Sequence, residues 1–405
     1  MSNTQKKNVP ELRFPEFEVE WEEKQLGESM KVLKSGLSRE LSNTDIGLPV
    51  IRANNIDGYN LKLDNIKYWY KNDPKGANTS NYLLKKGDIL VNFINSEAKM
   101  GTTCIILNEL ERDTIYTTNI LRYVTKTEYD AYFHYLITQT YNYKKGIKII
   151  TKPAVNQASF TTGDFKKIPY NIPEIEEQQK IGEFFSKLDR QIELEEQKLE
   201  LLQQQKKGYM QKIFLQELRF KDANGNDYPY WTNERLGEVT TVTMGQSPKS
   251  VNYTDNSNDT VLIQGNADIE NGLINPRIYT REVTKLIQKD EIILTVRAPV
   301  GKLAMAQINA CIGRGVCSIK GDKFLYYFLE WFATQNKWIR FSQGSTFESI
   351  SGNDIRSIHI KIPVEDERTK IIKLLNSLDV LNSKTALKIQ NLKQRKQSLL
   401  QKMFV

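Results

Sequence analysis

Metal-binding and thiol chemistry are poorly supplied in this chain, which holds only two histidines and three cysteines in 405 residues. Cys104, Cys311 and Cys317 form no even framework and no paired spacing. A disulfide scaffold and a zinc cluster are therefore set aside in favour of reduced, buried thiols. With His134 and His359 as the sole imidazoles, a base-assisted nucleophile is equally poorly served. No uncharged run approaches the roughly 20 residues that span a bilayer, and Met1–Asn8 is polar, so a cytoplasmic protein without membrane contact is expected.

Catalytic signatures are missing as well. The chain has no Pro-Pro pair, which the usual base-methylating motif requires. The nearest phosphate-loop candidate, Gly313-Arg314-Gly315-Val316-Cys317-Ser318, lacks a third glycine and a following lysine and reads as a tight turn. Asp88 stands nine residues before Glu97-Ala98-Lys99, a spacing that could assemble carboxylates around Mg²⁺. A second, related stretch from Asp290-Glu291 to Ala298-Pro299-Val300 keeps the strand but has neither the glutamate nor the lysine. Nuclease chemistry is therefore not expected, and neither is a metal site or a catalytic residue. The chain reads as a binder.

What is present suits folded domains: 39% hydrophobic, 10% aromatic and 26% charged residues over a length sufficient for two or three cores. The net charge of +8 permits a polyanionic partner without demanding one.

The informative feature is an internal duplication. Residues 172–214 align without gaps on 362–404 with 14 identities in 43 positions, among them Pro173, Glu177, Lys180, Leu188, Asp189, Lys206 and Phe214. The openings also recur: Leu12-Arg13-Phe14 returns as Leu218-Arg219-Phe220, and Trp21 with Leu26-Gly27-Glu28 returns as Trp231 with Leu236-Gly237-Glu238. Between these frames the likeness is patchy, as in Ile51 and Asn54 near Ile263 and Asn266, or Ser159 and Asp164 against Ser349 and Asp354.

Each closing repeat predicts a long helix. A proline followed by acidic residues suits a helix start, and no breaker interrupts either copy. About 40 residues at 1.5 Å each give a rod of roughly 60 Å. Leu188, Ile192, Leu199, Leu202 and Ile213 fall on one heptad stripe, and Leu378, Ile389, Leu392, Leu399 and Met403 on its counterpart. Residues 174–215 carry 7 basic and 9 acidic side chains (net −2), whereas 364–405 carry 9 and 4 (net +5), which favours pairing of the two copies. Glu195, Lys206, Asn382 and Lys396 interrupt the stripes and could set their register.

The fold class is thus α+β: two tandem mixed α/β domains, each followed by a long helix. The domain reading is 1–171, helix 172–215, 216–361 and helix 362–405. Short strands such as 88–93 and 291–296 alternate with turn signals at Asn54–Gly58 and Asn271-Gly272, and helices are expected near 128–140 and 323–336.

For DNA, amides and guanidinium groups suit base edges, while lysines suit phosphates. Both halves offer these at matched places. Arg52, Asn54 and Asn55 lead into a turn after a β-rich run, and Gln264 and Asn266 do likewise. Asn92 and Arg297 lie near the ends of two matched strands. Lys152, Asn156 and Gln157 stand opposite Ser345 and Thr346. The basic-aromatic clusters 141–148 and 338–341 are further candidates for contact with a nucleic-acid backbone.

The frame resembles the specificity subunit of Type I restriction-modification enzymes. The resemblance rests on the opening LRFPEF and LRF with Trp-x4-Leu-Gly-Glu in both halves, and on the closing Ile-Pro, Glu177-Gln178, Ile181, Leu188-Asp189 and Gln-Lys-x-Phe; Glu367-Arg368 departs from the second of these. It implies two target-recognition domains, each reading half of a split, asymmetric DNA site, held apart by an antiparallel coiled coil. It also implies two methyltransferase (M) subunits that bring S-adenosylmethionine for adenine-N6 methylation, and restriction (R) subunits that use ATP and Mg²⁺. None of those cofactors is expected on this chain. The residues alone leave open a stand-alone dimeric DNA-binding regulator, or a scaffold that binds only proteins.

Overall fold

The computed structural model describes residues 8–154, 157–338 and 349–405. The chain divides into two compact units, 1–195 with 388–405, and 196–387. The two long helices, Ile175–Phe214 and Glu365–Lys402, are each continuous, and the division falls within both. Each unit therefore contains one mixed α/β domain, part of the central helix and part of the closing helix.

In the first unit, strands Met30–Ser35, Ile120–Thr125, Ile89–Asn92 and Thr103–Ile105 form an antiparallel sheet in that order. A second sheet places Leu48–Ile51 between Ile115–Tyr116, to which it runs parallel, and Lys67–Trp69, to which it runs antiparallel. Helices Ala131–Ile137 and Tyr141–Ile150 cover the core, their starts capped by the Asp130 and Thr140 side chains. Strand Ile89–Asn92 is buried throughout, the pattern of a central strand covered on both faces.

The second unit repeats the plan. Val242–Met244, Val316–Ile319, Ile292–Thr295 and Leu303–Met305 follow one another as the matching strands do in the first unit. Thr260–Ile263 runs parallel to Ala310–Ile312. Helix Lys323–Thr334 lies within the span 323–336 expected from the sequence. Each unit is tied at its base by a two-stranded pair, Glu22–Gln25 with Pro169–Ile172 and Thr232–Arg235 with His359–Ile362.

The recurring opening motif acquires a physical reason here. Arg13 donates from Nε and Nη2 to the buried Glu177 carboxylate (2.8 and 2.7 Å), and Arg219 donates in the same way to the buried Glu367 (3.2 and 2.6 Å). Both guanidinium groups are held above their ordinary pKa, first by that hydrogen bond. The arginine of each opening motif thus anchors the chain's entry to the helix that closes the same half.

The helices pair inside each unit. In the first, Asp189 accepts from Lys396 (2.8 Å) and Glu195 from Lys388 (2.5 Å). Numbering rises along one helix as it falls along the other, so these segments are antiparallel. Leu188, Ile192, Leu392, Leu399, Leu400, Met403 and Phe404 join the first unit's core. In the second unit Lys206 pairs with Asp379 (2.7 Å) and Glu330 (2.8 Å), and Met210, Ile213 and Phe214 pack with Ile371, Leu375 and Leu378. Three of the four polar stripe positions are therefore ion-paired across the helices, and the Asp189–Lys396 and Asp379–Lys206 pairs are copies of one another. Leu199 and Leu202 are half-buried and Ile389 is buried. Phe404 lies against Trp21, Phe133 and Phe185, and its twin Phe214 lies against Phe324, Phe328 and Trp331. The final aromatic of one repeat thus fills the core of the other half's domain.

Among the described residues no helix is long and apolar enough to cross a membrane. All three cysteines are free and buried, and burial pushes the Cys104 and Cys317 thiols up to about 12.

Candidate nucleic-acid interface

The parallel strand pair is what builds a surface in each unit. Because Leu48–Ile51 and Ile115–Tyr116 run in the same direction, the segments that follow them, 52–55 and 117–119, emerge side by side. The strand Met30–Ser35 delivers Gly36-Leu37-Ser38 to the same edge, where Leu37 N donates to the Tyr116 carbonyl (2.8 Å). Ile94–Asn95 pairs with Ala158–Ser159 and so brings Gln157 alongside. The resulting open cleft is lined by Ser38, Arg39, Arg52, Asn54, Asn95, Thr117, Thr118, Asn119 and Gln157, among others.

The second unit makes its cleft from corresponding segments. Thr260–Ile263 and Ala310–Ile312 release 264–268 and 313–315 together, and Gln246 N donates to the Ile312 carbonyl (2.9 Å) as Leu37 does to Tyr116. Ser247, Gln264, Gly265, Asn266, Arg297, Ala298, Arg314 and Gly315 line it. The frame needs glycine at one matched place. A Cβ at Gly36 would lie 2.1 Å from the Tyr116 carbonyl oxygen, and one at Gly245 would lie 2.1 Å from that of Gly313.

Arg52, Asn54 and Gln157 therefore share one cleft, and Gln264, Asn266 and Arg297 share the other. Three described candidates from the sequence, Asn55, Asn92 and Lys152, line neither cleft. Asn55 is buried, accepting from the Arg52 amide through Oδ1 and donating to the Lys62 and Asp64 carbonyls, so it shapes its own loop; Asp268 does the equivalent work for Gln264 and Gly265. Asn92 is fully buried, with Nδ2 donating to Thr102 Oγ1 (2.9 Å). Its structural counterpart is Thr295, which occupies the same ladder position, and Arg297 lies two residues further on. Lys152 is exposed, and its backbone pairs with Ser159 outside the cleft lining. Asn156, Ser345 and Thr346 lie outside the described residues, as does most of the 338–341 cluster. The 141–148 cluster forms a helix, with Tyr141 exposed and Tyr143 in the core.

Sequence reasoning missed Ser38, Arg39, Asn95, Thr117–Asn119, Ser247 and Arg314. One signal was available: Gly36-Leu37-Ser38 and Gly245-Gln246-Ser247 repeat a Gly-x-Ser triplet just after the first sheet strand of each half.

The electrostatics of the two clefts differ. In the first, Arg39 donates to the Asp73 carboxylate through Nε and Nη2 (3.1 and 2.5 Å), and Arg52 Nη2 donates to the Asn65 carbonyl (2.7 Å). Arg39, followed by the Ala77 and Lys75 backbone amides, holds Asp73 well below the usual carboxylate range. Arg39 is thus ion-paired and Arg52 is tied to a backbone carbonyl through Nη2, although its buried Nε has no partner among the described residues; amides and hydroxyls face the cleft. In the second, Arg297 and Arg314 are exposed and neither guanidinium has a carboxylate partner among the described residues.

The candidate nuclease constellation does not assemble. Asp88 and Glu97 stand at opposite ends of strand Ile89–Asn92, and Asp88 is spent on the Lys85 amide (2.8 Å) and Arg122 Nε (2.6 Å). Burial raises the Asp88 pKa.

The model of the Type I restriction modification DNA specificity domain matches residues 18–204 and again 213–394. A protein of Methanocaldococcus jannaschii named for the specificity subunit of the type I restriction enzyme MjaX is 30% identical over 387 residues, covering 92% of this chain and 90% of that one. Among solved structures, the type I S subunit from M. genitalium aligns over 98% of this chain and 99% of its own with a TM-score of 0.62 at 16% identity. A chain from a type I restriction-modification assembly aligns over 95% and 97% with a TM-score of 0.55 at 19% identity. The protein is a member of the Type I restriction-modification specificity-subunit family, with one DNA specificity domain in each half.

Proposed function

We propose that this chain reads a bipartite, asymmetric DNA site and directs the adenine-N6 methylation and restriction carried out by partner subunits, without catalysing either reaction. The observation that carries this reading is the pair of equivalent clefts built on one backbone frame and lined by different side chains. A shared frame gives each half the same approach to a duplex, whereas different linings give the halves different preferred bases. The duplicated helices supply the complementary part. Two copies of one docking surface suit two copies of one methyltransferase subunit, as two-fold readers suit paired half-sites.

S-adenosylmethionine, ATP and Mg²⁺ belong to the M and R subunits in this reading, and this chain's own residues bind and orient DNA. The antiparallel helix segments act as a spacer that sets half-site separation near one duplex turn, about 34 Å. Co-expression with the methyltransferase subunit tests the proposal. A stable complex that methylates adenine within one defined split sequence supports it. DNA binding by the isolated chain with no methyltransferase association would instead indicate a stand-alone regulator.

A further inference from the structure

We infer that Arg314 is a guanine-reading residue, so that the half-site addressed by residues 217–361 contains a G·C pair whose guanine it contacts. This rests on the DNA-reading assignment of the clefts and adds the chemistry of one base.

Arg314 sits at the tip of the turn closed by Val316 N donating to the Gly313 carbonyl (3.1 Å). The turn is built to push that one side chain forward. A Cβ at Gly315 would lie 1.9 Å from the Gln264 carbonyl oxygen, so the backbone passes too close to the neighbouring segment for any other residue. Ser247 Oγ accepts from the Arg314 amide (3.1 Å), pinning the turn to the Gly-x-Ser segment. The Arg314 side chain remains exposed and opens into the cleft with Arg297 and Gln264. Gln264 Nε2 is buried there without an acceptor among the described residues.

The matched turn of the first unit provides the contrast. Ile120 N donates to the Thr117 carbonyl (3.1 Å), so Thr118 occupies the place of Arg314. The two arginines of that cleft, Arg39 and Arg52, are held by Asp73 and by the Asn65 carbonyl. The second cleft therefore has, on a pinned turn, a guanidinium with no carboxylate partner among the described residues, where the first has a hydroxyl. A planar fork of donors matches the O6 and N7 acceptors of guanine in the major groove, whereas adenine offers N7 beside a donor and repels one arm of the fork.

The test uses the assembled methyltransferase complex on DNA carrying its methylated site with each position varied. The wild-type complex is expected to demand guanine at one position of one half-site. Arg314→Ala and Arg314→Lys should each cut discrimination at that position by roughly 5- to 150-fold, with the other half-site unchanged. Since Arg314 is exposed, both variants should assemble normally. A uniform loss of binding over all sequences with a shallower salt dependence would identify a phosphate contact and overturn the inference. So would unchanged selectivity in both variants. A wild-type complex that methylates no defined sequence would refute the DNA-reading assignment itself, a different outcome from either of these.

Discussion

Replacing Glu367 by alanine should destabilise the second unit by about 3 kcal/mol, near the lower end of the cost of breaking a buried ion pair. The Glu367 side chain is 0% exposed and receives four donors: Arg219 Nε (3.2 Å) and Nη2 (2.6 Å), Trp231 Nε1 (2.9 Å) and the Phe220 amide (3.3 Å). Truncation strands all four, but Arg219 keeps 20% of its side-chain surface and can regain some water. Equilibrium urea unfolding followed by tryptophan fluorescence reads the change, because Trp231 is itself one of the donors. Adding Arg219→Ala to Glu367→Ala should cost well under its cost in the wild type, since the ion pair is already gone. Glu177→Ala in the first unit should behave alike, as Glu177 holds Arg13 in the same geometry. A loss below about 0.5 kcal/mol for both glutamates would refute the claim that the recurring arginine and glutamate exist to clamp each domain to its helix.

His134 is fully buried between Tyr170 Oη (3.0 Å) and the Asp130 carbonyl (2.9 Å), and burial lowers its pKa to about 4. The folded state then binds fewer protons than the unfolded chain between about pH 4 and 6.5, so stability should fall as pH drops through that window, by up to about 3 kcal/mol. The fall should be smaller in His134→Gln; an unchanged pH slope in that variant would discount the histidine. Phe404→Ala should cost about 3 to 5 kcal/mol in the first unit, where Phe404 packs on Trp21, Phe133 and Phe185, with thermal unfolding as the measurement and a loss below 1 kcal/mol as the refuting result. Leu188→Glu places a charge among the buried residues of the same core and should weaken assembly with the methyltransferase; unaltered assembly and unaltered half-site spacing would count against the helices as a spacer.

The duplication was legible because its marks are local. Arg13 with Glu177, Trp21 with Phe404 and Asp189 with Lys396 are packing requirements of the frame, so both halves retain the same residue types. Helix periodicity gave nearly the right spans, 172–215 and 362–405 against the observed Ile175–Phe214 and Glu365–Lys402. The exchange of Phe404 and Phe214 between halves was not legible, because a final aromatic carries no mark of which core it enters. The clefts were half legible for a related reason. Arg52 and Asn54 follow a strand whose turn shows in the sequence, but their neighbours Thr117–Asn119 arrive through a parallel pairing of Val50 with Ile115, 65 residues apart in the chain. Parallel register over such a separation leaves no short-range pattern. Asn55 and Asn92 misled because an asparagine that caps a buried loop and one that faces a ligand look alike in a sequence.

Split-site reading by two independent domains is tested most directly by mapping N6-methyladenine in cells expressing this chain with its methyltransferase, and again after residues 217–361 are exchanged for the equivalent domain of a relative. One split, asymmetric motif is expected, absent without the chain, of which the exchange alters a single half while spacing is kept. A motif that changes in both halves, or methylation that persists unchanged without the chain, would contradict split-site reading.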